Sequence, residues 1–244
     1  FAKEFMQKYG IPTAYYQVFT EIEAAKCYVR EKGTPIVIKA DGLAAGKGVI
    51  VAMDEATAFD AIDDMLDGNK FGDAGSRVVI EQFLSGEEAS FICMIDGENI
   101  LPMATSQDHK RIFEGDTGAN TGGMGAYSPA PVVTQMVHDK VIERVIRPVV
   151  EVMKANGTPY TGFLYAGLMI DEHNDPYVIE FNCRFGDPET QPIMMRLKSS
   201  LTRLIQAGLL GNLPNEAQWL DQVALGVVLA SRGYPESSIK GDII

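Results

Sequence analysis

The spacing of apolar and polar residues predicts helices and strands that alternate along the chain. Helical periodicity predicts helices at residues 1–9, 21–31, 54–66, 134–155 and 192–208, with a bend or an interruption at Pro148 and a Thr20 cap before the second. Short apolar runs predict strands at 14–19, 35–40, 49–52, 77–83, 89–95, 99–105, 162–170, 177–183 and 223–230. Asp96-Gly97 and Asn174-Asp175 are typical of hairpin turns, and these hairpins favour an α+β fold over a doubly wound parallel sheet.

Residues 106–131 show almost no periodicity. Seven glycines and prolines lie between Gly115 and Pro131. A structureless stretch of this length within a compact domain is usually either functional or disordered, so the pattern predicts a glycine-rich loop of one of these two kinds here.

The composition narrows the class of protein. The chain has 244 residues, 46% of them hydrophobic and 22% charged, which is typical of a globular protein. No apolar run approaches the ~20 residues of a membrane span. Three cysteines without ligand spacing favour reduced thiols in a cytoplasm over disulfides or zinc. The net charge of −12 argues against nucleic-acid or anionic-membrane partners, although a local group of cations could still bind a small anion.

A glycine loop follows the strand at 35–40. The strand presents Lys39 and continues into small residues that include Gly42, Gly46, Lys47 and Gly48. Glycines let backbone N–H groups approach an anion, and lysines supply point charges to phosphates. The spacing is not that of a Walker A loop, which has four residues between its glycines and Ser or Thr after the lysine. The alternative to a phosphate loop is a plain hairpin with surface lysines.

A second candidate segment lies where the strand at 77–83 ends. The backbone of Glu81, Gln82, Phe83 and Leu84 can offer hydrogen bonds to an adenine edge while the apolar side chains pack on the ring. Glu88 follows at a position where a carboxylate could accept hydrogen bonds from ribose hydroxyls. An ordinary strand ending in a turn explains this segment equally well.

The strand at 177–183 carries candidate metal ligands. Residues two apart on a strand share a face, so Glu180 and Asn182 are expected to point the same way, in a row that begins at Val178 and continues to Arg184. Two hard oxygen ligands side by side suit Mg²⁺. The alternative is that this row is a solvated face.

These features, in this order, resemble the ATP-grasp fold, in which two α+β subdomains clasp ATP. Three further stretches narrow the resemblance to the glycinamide ribonucleotide synthetase family, and it extends along nearly the whole chain. They are ATSQDHKR at 104–111, NTGGMGAYSP at 120–129 and FNCRFGDPETQP at 181–192.

The resemblance implies that ATP phosphorylates the carboxylate of glycine and that 5-phosphoribosylamine then displaces the phosphate, mostly by positioning and charge neutralisation. It implies a metal site for Mg²⁺, or Mn²⁺ in its place, at Glu180 and Asn182, with Arg184 and Lys47 as catalytic groups. The implied ATP-binding residues are Lys39, Gly42, Gly46, Lys47, Gly48, Glu81, Gln82, Phe83, Leu84 and Glu88. The implied substrate-binding residues are Asp108, Lys110, Asn120, Thr121, Gly122, Gly123, Met124, Asp187, Pro188 and Glu189.

The resemblance also implies a division of the chain. Residues 1–12 would begin the ATP-grasp core, 13–83 form the small lid subdomain, 84–220 the large subdomain and 221–244 the start of a C-terminal domain. The family's N-terminal domain and most of its C-terminal domain would be missing. A monomer or weak dimer in the cytoplasm is expected.

One residue and one strand depart from the family pattern. Ala119 stands where the family has proline, and the strand at 160–170 has no acid, although many ATP-grasp enzymes place a metal carboxylate there. Glu180 would then bridge two ions, or a second ion would rely on phosphates. Two other functions remain as alternatives: an ATP-grasp enzyme acting on another carboxylate, and a noncatalytic nucleotide-binding module.

Overall fold

The computed structural model describes residues 1–42, 48–67, 76–235, 237, 239 and 241. The helices are α1 (Ala2–Tyr9), α2 (Ile22–Lys32), α3 (Glu55–Leu66), α4 (Gln135–Val141), α5 (Arg147–Ala155), α6 (Thr190–Arg196) and α7 (Leu201–Leu209). The strands are β1 (Tyr16–Phe19), β2 (Ile36–Ala40), β3 (Val49–Ala52), β4 (Val78–Gln82), β5 (Glu87–Asp96), β6 (Ile100–Pro102), β7 (Gln107–Phe113), β8 (Thr117–Ser128), β9 (Thr161–Ile170), β10 (Pro176–Asn182) and β11 (Ala224–Val227). Across these described residues, no helix has the length and apolar character needed to cross a membrane.

The chain forms two compact units. One comprises Ala14–Leu84, and the other comprises Phe1–Thr13 together with Ser85–Ile244. The first unit contains an antiparallel sheet in the order β1-β4-β2-β3, whose apolar residues pack against α2 and α3 in one core. The Asp54 side chain caps α3 by accepting from the Thr57 N–H at 2.8 Å. The predicted Thr20 cap is wrong, because α2 has Glu21 at its N-cap and no side-chain cap bond.

The second unit contains an antiparallel sheet in the order β10-β9-β5-β6. Residues directly opposite each other in such a sheet share a face, so its register separates two sets of side chains. Ala89 and Phe91 of β5 lie opposite Leu168 and Ala166 of β9, and all four are buried. This apolar face packs against α1, α4 and α5 to form the largest core.

Strand β10 contains a bulge. Val178 pairs with Leu168, but Glu180 pairs with Gly167, so β10 has one extra residue, Ile179, between the two pairs. Val178 therefore lies on the apolar face, whereas Glu180 lies on the opposite one. The predicted row that begins at Val178 is wrong at its first member, because strict alternation does not hold across the bulge.

The region predicted to be a structureless loop is a β-hairpin. Strands β7 and β8 pair within a three-stranded sheet of order β11-β8-β7, and the register shifts on either side of Arg111. The loop prediction is wrong because the glycines of β8 carry no side chains and the irregular register removes the two-residue period. A Cβ at Gly125 would lie 2.8 Å from the Gly226 carbonyl oxygen, so this glycine permits close pairing with β11.

The interruption predicted at Pro148 in the helix at 134–155 is confirmed. A π-helical turn at Ile142–Ile146 lies just before this proline, which lacks the N–H that a regular helix needs. Two other predicted elements differ from the structure. The predicted helix at 192–208 is two helices, α6 and α7. Strand β11 was predicted to be buried but lies at a sheet edge, where the Leu225 and Val227 side chains are exposed.

Candidate active site

The face of the β10-β9-β5-β6 sheet opposite the large core carries a row of polar side chains. Because β5 pairs with β9, and β9 pairs with β10, the register places residues of three strands side by side. We call this group the polar face, and its members are Glu88, Ser90, Tyr165, Glu180 and Asn182. The expectation that Glu180 and Asn182 share a face is confirmed, since they lie opposite Gly167 and Tyr165.

A glycine at the centre of the polar face makes room for the candidate metal ligands. A Cβ at Gly167 would lie 3.2 Å from Glu180 Cγ and 3.4 Å from Tyr165 Cε1, which is tight. Glu180 is exposed and Asn182 is half-buried, so a cation from solvent can reach their oxygens. The part of the chain that the structure describes contains no cluster of three or more His, Cys, Asp or Glu suited to a metal. An ion bound by this pair would therefore take its other oxygen ligands from phosphate or water, as Mg²⁺ commonly does.

A lysine lies among the acids of this site. Lys110 Nζ is 3.0 Å from Glu88 Oε2 and 3.9 Å from Asp108 Oδ2. Burial alone would lower the pKa of Lys110, but the carboxylates of Glu88, Asp108 and Glu180 raise it, so the ammonium stays charged. The resemblance implies that Glu88 binds ATP and that Lys110 binds substrate, and the structure brings the two side chains together.

Asp108 is an acid of this group whose carboxylate is buried at a cost in free energy. Only 6% of its side chain is exposed, and burial raises its pKa to about 6. The Lys110 charge lowers that pKa, whereas the charges of Glu189 and Glu88 raise it further. Burial prevails because the ammonium is 3.9 Å away and is shared with Glu88.

The raised pKa predicts that Asp108 destabilises the folded state at neutral pH. Between about pH 4 and 6 the folded protein binds more protons than the unfolded chain, whose aspartates titrate near 3.9, so this contribution to stability falls as pH rises. We expect Asp108→Asn to remove the cost, which amounts to at most about 2–3 kcal/mol above pH 6. Urea unfolding at pH 4 and pH 8 should give the variant a higher free energy of unfolding than the unsubstituted protein only at pH 8.

The control for this experiment is Asp60→Asn, the same change at an exposed position of α3. It should alter stability equally at both pH values. Parallel pH profiles for Asp108→Asn and the unsubstituted protein would show that Asp108 has no raised pKa.

The first unit holds a buried ion pair on its sheet. Lys39 Nζ lies 3.0 Å from Glu81 Oε2, and only 18% and 6% of the two side chains are exposed. The strands β2 and β4 are hydrogen-bonded neighbours, so the pair is diagonal across them. Glu81 was predicted to hold adenosine and Lys39 a phosphate, and here the carboxylate fixes the position of the ammonium.

The remaining nucleotide candidates flank this ion pair. Gln82 ends β4, and its N–H donates to the Tyr15 carbonyl, while Phe83 and Leu84 follow as half-buried residues. The glycine loop was predicted to lie between two antiparallel strands, and β2 and β3 pair in that way. Gly42 and Gly48 are at its two ends, and the predicted contacts of Gly46 and Lys47 lie outside the described residues.

The hairpin of β7 and β8 meets the segment that follows β10. A Cβ at Gly123 would lie 2.3 Å from Pro188 Cδ and 3.3 Å from the Asp187 carbonyl oxygen, so the two backbones are in close contact. Thr121 Oγ1 donates to the Lys110 carbonyl at 2.8 Å and accepts from the Gly123 N–H at 3.0 Å. The structure thus joins two sequence motifs that are more than sixty residues apart.

The other substrate candidates on β8 have local partners. Asn120 lies opposite Arg111, and the Gly122 N–H donates to the Tyr234 hydroxyl at 3.1 Å. The Met124 carbonyl accepts from the Val228 N–H at 2.9 Å.

Arg184 does not continue the row of Glu180 and Asn182. Strand β10 ends at Asn182, and the exposed Arg184 guanidinium donates to the Phe185 carbonyl at 2.8 Å. The prediction is wrong on this point because the pleat fixes side-chain direction only within the strand.

A buried polar group at the site was not predicted from the sequence. Ser90 Oγ donates to Glu189 Oε1 at 2.8 Å and lies 3.0 Å from the Tyr165 hydroxyl. All three residues are buried. The available signal was a single serine in the apolar strand at 89–95, where a buried hydroxyl needs a partner.

The two α+β units, each with its own antiparallel sheet, define an ATP-grasp fold. The biotin carboxylase domain of a 2-oxoglutarate carboxylase from Hydrogenobacter thermophilus, solved with Mg·ADP and bicarbonate, superposes with a TM-score of 0.68 at 17% identity, over 92% of this chain and 48% of that one. At this identity the likeness concerns the fold alone.

A family model identifies the chain more closely. The model for the phosphoribosylglycinamide synthetase, ATP-grasp (A) domain matches residues 1–190, and the chain belongs to this family. A phosphoribosylamine–glycine ligase from Xanthomonas axonopodis pv. citri is 65% identical over 100% of this chain and 57% of its own length. The crystal structure of a phosphoribosylamine–glycine ligase from Thermotoga maritima superposes with a TM-score of 0.88 at 36% identity, over 98% of this chain and 60% of that one. The chain thus spans somewhat more than half the length of these relatives.

Proposed function

We propose that the protein ligates glycine to 5-phosphoribosylamine at the expense of ATP, giving glycinamide ribonucleotide, ADP and phosphate, a step of purine biosynthesis. The observation that carries this proposal is the pair Glu180 and Asn182, which lie side by side on the polar face. The names of the full-length relatives support the choice of substrates.

In the first step, a glycine carboxylate oxygen attacks the γ-phosphorus of ATP, and the bond from that phosphorus to ADP breaks. Lys39, whose position is fixed by Glu81, and Lys47 hold the phosphates, and Arg184 faces the phosphoryl group being transferred. A metal ion, Mg²⁺ or Mn²⁺, held by Glu180 and Asn182 would supply neutralisation of the phosphate charge.

In the second step, the amine of phosphoribosylamine attacks the carbonyl carbon of glycyl phosphate. The bond from that carbon to the phosphate oxygen breaks, and the leaving phosphate takes up the proton that the amine gives up. No side chain acts as a covalent nucleophile, so the protein contributes binding, orientation and charge. Lys110, held between Glu88 and Asp108, provides a positive charge among the residues proposed to bind the acceptor substrate.

We propose two binding sets beyond the metal pair. The ATP set is Lys39, Gly42, Gly46, Lys47, Gly48, Glu81, Gln82, Phe83, Leu84 and Glu88. The acceptor set is Asp108, Lys110, Asn120, Thr121, Gly122, Gly123, Met124, Asp187 and Pro188. Glu189, which the resemblance also assigns to this set, is left out because its side chain is buried and accepts from Ser90.

We also propose the subdomain boundaries given by the resemblance, with a lid at 13–83, a large subdomain at 84–220 and a C-terminal domain that begins at 221. The compact unit Ala14–Leu84 supports the lid. The protein would act in the cytoplasm as a monomer or weak dimer.

A substrate-omission assay tests the proposed function. The full-length protein, mixed with ATP, Mg²⁺, glycine and phosphoribosylamine, should release ADP and form glycinamide ribonucleotide, and omission of either substrate should abolish the product. Calorimetry on this chain alone should detect Mg·ATP binding at millimolar concentration. The affinity should be modest, because ordering loops on binding costs free energy.

Bicarbonate in place of glycine provides the control for the assay. Release of ADP with bicarbonate but not with glycine would assign the protein to ATP-grasp enzymes that activate another carboxylate. Absence of any ADP release, with nucleotide still bound, would favour a noncatalytic nucleotide-binding module.

A further inference from the structure

Two buried members of the polar face, Tyr165 and Ser90, form a chain of hydrogen bonds with the buried Glu189. Tyr165 of β9 and Ser90 of β5 are joined by a hydroxyl–hydroxyl hydrogen bond of 3.0 Å, and Ser90 contacts Glu189 at 2.8 Å. Their exposed fractions are 4%, 0% and 2% respectively. The first two residues stand on neighbouring strands of the sheet, whereas Glu189 belongs to the segment between β10 and α6.

The direction of these hydrogen bonds follows from the number of protons. Ser90 has a single hydroxyl proton and gives it to the Glu189 carboxylate, which can only accept when ionised. In the hydrogen bond between the two hydroxyls, Tyr165 is therefore the donor, and the Tyr165 hydroxyl also interacts with Glu189 directly. The Ser90 hydroxyl thus links the sheet to the Glu189 carboxylate, which lies outside the sheet. A hydrogen bond to a charged group is stronger than one between two neutral groups.

Glu189 is closely packed under the preceding backbone. A Cβ at Gly186 would lie 2.5 Å from Glu189 Oε2 and 3.0 Å from Glu189 Cβ, so the carboxylate lies directly against Gly186. The Gly186 carbonyl in turn accepts from the Thr190 N–H at 3.1 Å. On the far side of this segment, Pro188 packs against Gly123 of β8.

We propose that Tyr165, Ser90 and Glu189 form a brace that fixes residues 183–188, and that Glu189 is a positioning residue for the ligation and does not itself contact substrate. The predicted effect on turnover rests on the proposed function, because Arg184 and Asp187 lie in the segment that the brace holds. The existence of the brace does not depend on that function. Glu189 is directed at the serine and is buried, which leaves its carboxylate oxygen little access to a ligand.

The chain offers a matched control for the serine. Ser106 lies directly opposite Ser90 in an antiparallel bridge and is equally buried. Within the described ranges of the chain, the Ser106 hydroxyl has no hydrogen-bond partner. Ser90→Ala and Ser106→Ala therefore make the same chemical change at neighbouring buried positions, and only the first breaks the brace.

Steady-state kinetics of the full-length protein test the effect on turnover. Ser90→Ala and Glu189→Ala should each lower kcat/KM for glycine by about tenfold to a hundredfold, as expected for the loss of one hydrogen bond to a charged group, with KM for ATP unchanged. Glu189→Gln keeps an oxygen that can accept from Ser90 and should recover most of the loss. Ser106→Ala should behave as the unsubstituted protein, and Tyr165→Phe should give a smaller loss in the same direction.

Hydrogen exchange tests the brace independently of the reaction. Deuterium uptake at the amides of residues 185–190 should rise in Ser90→Ala and Glu189→Ala and remain unchanged in Ser106→Ala. This pattern together with an unsubstituted protein that lacks ligase activity would refute the proposed function and leave the brace standing. Unchanged exchange in Ser90→Ala, or Glu189→Gln as impaired as Glu189→Ala, would overturn the brace, since the second result means that the carboxylate charge itself is used.

Discussion

Replacing Glu180 with glutamine is expected to lower kcat of the full-length protein by at least about a hundredfold while nucleotide still binds. Glutamine keeps the size and one neutral oxygen of the side chain but removes its charge. Contacts from Lys39 and Glu81 to the nucleotide belong to a different unit and should persist. Phosphoryl transfer depends on neutralising charge that develops between the phosphates, so the loss should fall on turnover.

Asn182 and Glu180 should act as one unit in this experiment. Asn182→Ala removes the second oxygen of the same site, so the double variant should cost less than the sum of the two single changes. Glu172→Gln is a matched control, since Glu172 is an exposed carboxylate between β9 and β10. Turnover and nucleotide affinity should be measured for all four proteins. Near-normal kcat in Glu180→Gln would place the metal site elsewhere.

The largest loss of stability is expected from Gly86→Ala. A Cβ at Gly86 would lie 2.1 Å from the Ile170 carbonyl oxygen and 2.8 Å from its carbonyl carbon, and φ at Gly86 is +156°. The obstruction is backbone within the β5–β9 pair, where Glu87 is the partner of Ile170, so no side chain can move aside. Overpacking and the unfavourable φ together should cost about 3 kcal/mol or more.

Gly211→Ala separates the two contributions to this cost. Gly211 also has a positive φ, +69°, but nothing lies within 4 Å of its added Cβ. Its substitution should cost only the conformational strain of about 1–2 kcal/mol. Urea unfolding midpoints and slopes of both variants provide the comparison. Equal losses of unfolding free energy in the two variants would show that the Ile170 carbonyl moves aside at little cost and that its close approach to Gly86 does not destabilise Gly86→Ala.

Local patterns in the sequence predicted much of the fold. Alternating and apolar runs located most strands, and Asp96-Gly97 and Asn174-Asp175 marked turns that the structure contains. These predictions succeed because the period of a strand or helix is a local property of the chain. The bulge at Ile179 escaped prediction because an extra residue in an apolar run does not change its composition.

The sequence predicted which residues form the candidate site better than it predicted which of them are in contact. Glu180 and Asn182 could be paired from sequence because they are two positions apart on one strand. The hydrogen bond from Ser90 to Glu189 joins residues 99 positions apart, and the bond from Lys39 to Glu81 joins residues 42 apart. Such contacts depend on sheet register and on how strands order themselves, which no short window of sequence contains.

The bulge in β10 makes the register of this strand as important to the candidate site as its side chains. Val178 and Phe181 enter the apolar core while Glu180 and Asn182 face the opposite way, and this division depends on one unpaired residue between them. If Ile179 instead paired regularly with Gly167, Glu180 would lie opposite Ala166 and turn toward the core, and Asn182 would turn with it. The candidate metal pair therefore depends on the position of the bulge as well as on its two residues, and a sequence change that removed the bulge without removing Ile179 would bury both side chains.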